Sequence, residues 1–202
     1  MGRGLAALAI VGSVAVGCVC GVVGARYAIA HRMEASGEQL NGWRVNFNLG
    51  RFGSDLLLRA AVARYGMGAN EAEESVYYSA PTDFDKRPLD GRSNYVLHFD
   101  KGALPPVGAF WSVSVVSADD LFFVENSIAR YGIGDRTKGL TRNPDGSLDI
   151  RIQHDEPAEG QANWLPAPAG GFVIIMRAYE PKAEILTRKW APPPVKRADT
   201  LA

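Results

Sequence analysis

Three groups of side chains in this sequence have the types and spacing to do chemistry. The first centres on His154, which stands beside Asp155 and Glu156. Leu148, Ile150 and Ile152 alternate with Asp149, Arg151 and Gln153, the period-two pattern of a strand. His154 continues the apolar parity, so it is expected on the core face at the end of that strand. An imidazole oriented by a carboxylate is the arrangement of a general base, which makes His154 and Asp155 the candidate catalytic residues. The competing reading is a hydrogen-bonded histidine that closes the core edge.

The second group centres on Arg177, which interrupts the apolar run Phe172–Ala178. A buried guanidinium needs a carboxylate, and Asp135, Asp155 and Glu180 are available. It reads either as an anion clamp or as a structural ion pair. The third group is Asn163-Trp164-Leu165-Pro166. An indole beside an amide can stack on and hydrogen-bond a small polar ligand such as a sugar. The bland reading is a loop pinned by a buried tryptophan. Asn126, Arg130, Tyr131 and Asp135 are the residues that could join it as a polar cluster.

Other chemistries are excluded by what the chain lacks. Both cysteines, Cys18 and Cys20, lie in the hydrophobic start, so the rest of the chain offers no disulfide, thiolate zinc site or catalytic thiol. There is no G-x-S-x-G, P-loop, G-x-G-x-x-G or H-E-x-x-H motif. Of the three histidines, His31 lies beside the hydrophobic segment. His98 has the opposite parity to Tyr95, Leu97 and Phe99 and is expected to face solvent. No metal site and no cofactor are expected. The formal net charge is zero, which argues against nucleic-acid binding.

The elements that must position these residues are mostly strands. Val76–Ala80, Asn94–Phe99, Phe110–Ser117, Ser147–His154 and Phe172–Tyr179 are strand-like and are separated by Gly, Pro, Asn and Asp clusters. Asn143-Pro144-Asp145-Gly146 is a turn that should join a strand ending near Leu140–Arg142 to the next as a hairpin. Upstream, Trp43, Val45, Phe47 and Leu49 alternate as a lead-in strand. Ser54 then reads as the N-cap of a short packing helix carrying Leu56, Leu57, Ala60, Ala61 and Ala63 and ending near Tyr65, where Gly66 and Gly68 follow. The Pro-rich stretch Ala191–Val195 is expected to be extended. The fold class this predicts is mainly β, an antiparallel, jelly-roll-like β-sandwich with one packing helix.

The chain begins differently. Leu5–Ala25 holds no charge, and its roughly 21 residues would reach ~31 Å as a helix, the thickness of a bilayer core. It reads as a membrane anchor flanked by Arg3 on one side and Arg26 and Arg32 on the other, a nearly balanced pair of flanks. The rival reading is a signal peptide cleaved at Ala28-Ile29-Ala30. The expected domains are an anchor over residues 1–30, a juxtamembrane linker and lead-in strand over 31–53, and a β-sandwich over 54–198.

Several motifs then fall in one order: Phe122-Phe123-Val124-Glu125-Asn126, Arg130-Tyr131-Gly132-Ile133-Gly134-Asp135-Arg136, Asn143-Pro144-Asp145-Gly146, Asn163-Trp164-Leu165-Pro166 and Met176-Arg177-Ala178-Tyr179-Glu180-Pro181. This series resembles the bacterial DUF1214 family, a domain of unknown function, in its short form with an N-terminal membrane segment. The resemblance implies a β-sandwich that is usually exported, and it brings no established reaction. The expectation is therefore a single-pass inner-membrane protein with a periplasmic domain. That domain would be a non-enzymatic module for a small polar ligand or an envelope protein partner. The alternative is a hydrolase that uses His154 with a nearby carboxylate.

Overall fold

A computed structural model describes residues 2–66 and 69–198. Gly68, expected just past the packing helix, lies outside the described residues. The chain divides into two compact units, residues 1–36 with 52–69 and residues 37–51 with 70–202.

The first unit is helical. Helix α1 spans Gly2–Glu34 and is the one helix among the described residues long and apolar enough to cross a membrane. Its side chains stay exposed as far as Tyr27 wherever they are described. Helix α2 spans Leu56–Gly66 and packs against α1 through Leu58, Ala61 and Val62. Its N-cap is Asp55 rather than Ser54, because the Leu58 amide donates to Asp55 Oδ1 (2.9 Å). The same carboxylate pairs with Arg32 of α1 at 2.6 Å, and that bond lowers its pKa from the usual carboxylate value.

The second unit is a two-sheet β domain. Its strands are β1 (Glu38–Leu40), β2 (Trp43–Val45), β3 (Ser75–Ala80), β4 (Tyr95–Phe99), β5 (Val107–Ser117), β6 (Gly132–Gly134), β7 (Leu148–Gln153), β8 (Trp164–Pro166), β9 (Phe172–Pro181) and β10 (Lys196–Arg197). A short helix α3 (Ala183–Leu186) follows β9. One sheet is ordered β1-β2-β3-β9-β5-β6 and the other β10-β4-β7-β8. Neighbours run antiparallel except β7 and β8, which are parallel. The irregular stretch between β7 and β8 returns the chain to the end where β7 began, so β8 repeats its direction.

One hydrophobic core lies between the sheets. β9 contributes Phe172, Ile174, Met176 and Ala178, β5 contributes Trp111, Val113 and Val115, and the second sheet contributes Tyr95, Leu97, Phe99, Ile150 and Ile152. Burial alternates along β9 and over most of β7, as the period-two pattern requires. The lead-in is a hairpin rather than one long strand. Asn41 and Gly42 both take positive φ at its turn, which lets Glu38–Leu40 fold back on Trp43–Val45. The Pro-rich stretch crosses β2, where the Trp43 indole donates to the Pro193 carbonyl (2.7 Å). The Asn143–Gly146 turn forms, with the Gly146 amide donating to the Asn143 carbonyl (2.8 Å). Residues 140–142 are not a strand, however: Asn163 holds Thr141 through both the Thr141 amide and its carbonyl.

Candidate interaction surface

The residues expected to do chemistry are only partly brought together. His154 does not face the core. β7 ends at Gln153, whose carbonyl accepts from both the Ala167 amide and the Trp164 indole (2.9 Å each). The chain bends there, Gln153 takes the buried position, and His154 is exposed. The His154 Nδ1–H donates to the Ala167 carbonyl (3.0 Å), not to Asp155 or another carboxylate. The dyad His154–Asp155 is therefore not assembled.

Trp164 is 3% exposed, and its indole N–H is spent inside the domain, so it cannot stack on a ligand. Asn163 is taken up by Thr141. Arg177 lies on the half-buried outer face of the first sheet, not in the core. It pairs with none of Asp135, Asp155 or Glu180, and it donates to Ser114 Oγ (3.3 Å). Asp135 is exposed beside the β5–β6 pair and accepts from the Trp111 amide (3.3 Å). The second and third groups are not brought together: Trp164 and Asn163 pin a loop, and Arg177 stands on another surface.

Asn126 and Tyr131 do come together, and Arg130 with them. They line a hollow with Val115, Glu125 and the segment Leu165–Pro168. Asn126 closes the turn from both ends: its Oδ1 accepts from the Arg130 amide (3.0 Å) and its Nδ2 donates to the Arg130 carbonyl (2.9 Å). The Arg130 guanidinium donates to the Trp164 carbonyl (2.8 Å) and to the Gln161 carbonyl, which clips this loop to the start of β8. His154 reaches the rim only through its bond to Ala167. The hollow measures about 10 Å³, room for about one water. A larger open hollow of about 230 Å³ lies by β10, and its one buried carboxylate, Asp83, is already held by Arg197 at 2.8 Å.

Exposed aromatic rings adjoin the small hollow through Tyr131. Phe122 is 66% exposed and Phe123 53%, and the Phe123 ring lies 5.5 Å from that of Tyr131. The loop beneath them is fixed by Ser117 N–H to Phe122 O (2.9 Å) and by Phe122 N–H to Asp120 Oδ1 (3.0 Å). In the sequence, Phe122 and Phe123 stand out only through the family resemblance. Two adjacent aromatics with no strand or helix period around them were the available signal.

The imidazole that does meet carboxylates is His98. It faces solvent as expected, with Nδ1 2.5 Å from Asp149 Oδ1 and Nε2 3.2 Å from Asp100 Oδ1. The bond to Asp149 raises its pKa above the ordinary histidine value. Asp149 is further held by Asn143 Nδ2 (2.9 Å), so the cluster ties β4 and β7 to the turn before β7. It stands on an outward strand face.

These features define a class: a two-sheet β domain carried by a chain with a membrane-length helix, bearing an exposed aromatic surface. The sequence profile described as protein of unknown function (DUF1214) matches residues 74–183, more than half of the chain, and the chain belongs to that family. Its fold is similar to the crystal structure of the VPA0106 protein from Vibrio parahaemolyticus, with a TM-score of 0.59 and 27% identity over 70% of this chain and 35% of that one. A putative uncharacterized protein from Burkholderia cenocepacia matches with a TM-score of 0.39 and 19% identity, over 67% of this chain and 32% of that one. The chain thus spans about a third of the length of both solved relatives. No curated protein matches it.

Proposed function

We propose that the chain is a membrane-anchored, non-enzymatic interaction module of the bacterial envelope. Its β domain lies outside the cytoplasm, and a protein partner seats on Phe122, Phe123, Tyr131 and Asn126. The carrying observation is the pair Phe122 and Phe123, 66% and 53% exposed on a loop hydrogen-bonded into one shape. Adjacent exposed aromatics on a fixed support are characteristic of contact surfaces rather than of a solvated face. A small polar ligand has weaker support, because the adjoining hollow holds about 10 Å³. The hydrolase alternative has weaker support for a different reason: the His154 ring meets a backbone carbonyl and no carboxylate. Placement outside the cytoplasm is supported by the anchor together with the exported character that the family resemblance implies.

Photo-cross-linking in cells tests the partner surface. A photoreactive phenylalanine at position 123 is expected to give a discrete protein adduct, and the same group at the exposed Lys101 is expected to give none. Equal yields at both positions would remove this surface from the account. Alkaline-phosphatase fusions after residue 198 test the side of the membrane, and activity is the expected result.

A further inference from the structure

Helix α2 has a face that α1 leaves uncovered. Leu56 is 71% exposed and Leu57 40%, and Ala63 is exposed beside them. Arg59 and Arg64 lie on either side of Leu56 and Ala63, with Leu57 next to Arg64, and among the described residues neither arginine is in an ion pair. Tyr65 closes the helix with the Arg64 guanidinium 5.7 Å from its ring. An apolar strip flanked by arginines and ended by a tyrosine is the composition of a helix lying in a bilayer headgroup layer.

The docking of α2 on α1 places it at that level. Arg32 of α1 grips Asp55 at the start of α2. The residues of α1 that lose exposure are Ala28–Ala30, Arg32 and Met33. The charge-free stretch of α1 ends at Arg26. At 1.5 Å per residue, Arg32 is within about 10 Å of that point along the helix axis. Tyr27, 71% exposed, stands at the same level. Counting the arginines and carboxylates of the two helices here, Arg26, Arg32, Arg59 and Arg64 face Glu34 and Asp55, and Asp55 is already neutralised by Arg32. The balance suits anionic headgroups.

We propose that α2 is an interfacial helix bound to the surface of the same bilayer that α1 crosses. Leu56 and Leu57 reach the acyl boundary, and Arg59 and Arg64 lie on anionic lipid phosphates. The inference rests on the anchor reading of α1, and its test separates the two. The full chain, with Cys18→Ala and Cys20→Ala, is placed in vesicles of phosphatidylcholine and phosphatidylglycerol. A nitroxide is attached at Ala63→Cys or, as a control, at Lys101→Cys. Flotation with the vesicles reports the anchor. Collision of the nitroxide with an aqueous nickel chelate and with lipid-soluble oxygen reports α2. The expected result is flotation, with the Ala63→Cys label at least threefold less accessible to nickel than the control and more accessible to oxygen. Adding Arg59→Glu and Arg64→Glu is expected to bring it to the control level while flotation persists. Flotation with equal nickel access at both labels overturns the proposal and leaves the anchor standing. Protection unchanged by the two glutamates also overturns it. Loss of flotation removes the anchor and the proposal together.

Discussion

At the scale of single residues, the informative positions are those whose polar atoms are already committed. Trp164 fills the core edge, and its indole satisfies Gln153. Trp164→Ala is expected to destabilise the β domain by about 3–5 kcal/mol, the range for a large buried aromatic, as read by chemical denaturation. His98 carries a pH dependence. Its folded pKa is raised, first by the bond to Asp149. A group whose pKa is higher folded than unfolded adds stability that is fully present below the unfolded value, near 6.5 for histidine. That stability is lost as pH rises through the folded value. The stability difference between the parent chain and His98→Gln is therefore expected to be largest below about pH 6.5 and to shrink as pH rises above it. Asp149→Asn is expected to lower the His98 titration midpoint measured by NMR. His154 shows how far parity can carry an argument. It fails one residue past the strand, because Gln153 O is claimed from two sides, by a tryptophan and by an amide remote in sequence.

At the scale of elements, legibility followed length. β9, β7, β5 and β4 could be read from the sequence because each has five or more residues, in an alternating pattern (β7 and the middle of β5) or an apolar, β-branched and aromatic run (β9 and β4). β1, β6 and β8 have three residues each and owe their extended form to a neighbour. The direction of β8 was not legible for the same reason. Arg177 was misplaced because the outer face of β9 carries Val173 and Ile175, half-buried, so the apolar run spans both faces. The candidate site was legible only as a cluster of Asn126, Arg130 and Tyr131. Its long-range clip, Arg130 to the carbonyls around β8, has no local signature. Arg130→Ala is expected to cost about 1–3 kcal/mol and to raise hydrogen exchange at Phe122–Tyr131 selectively. Gly91→Ala provides a check on the pairing of the Gly91 and Pro168–Gly171 segments, since an added Cβ would fall on the Pro168 carbonyl oxygen. A loss of about 1–3 kcal/mol is expected in thermal or denaturant unfolding.

At the scale of the whole molecule, the chain joins a membrane-length helix to a domain whose most exposed aromatic pair has no structural task in the core. Phe122→Ser with Phe123→Ser is expected to leave unfolding within about 0.5 kcal/mol of the parent while abolishing the partner cross-links made from a photoreactive phenylalanine placed instead at position 131. That split between stability and contact separates an interaction surface from a packing one. The anchor underlies the whole reading, and the fold bears on its rival. The A-x-A-like site, Ala28-Ile29-Ala30, lies within α1 among the residues that lose exposure near α2, next to the Arg32–Asp55 pair. Cleavage there would remove part of the helical unit as well as the membrane segment. The intact mass and amino-terminal sequence of the mature protein recovered from membranes test this most directly. The expected result is a protein that retains α1. A mature protein beginning at His31 would contradict it.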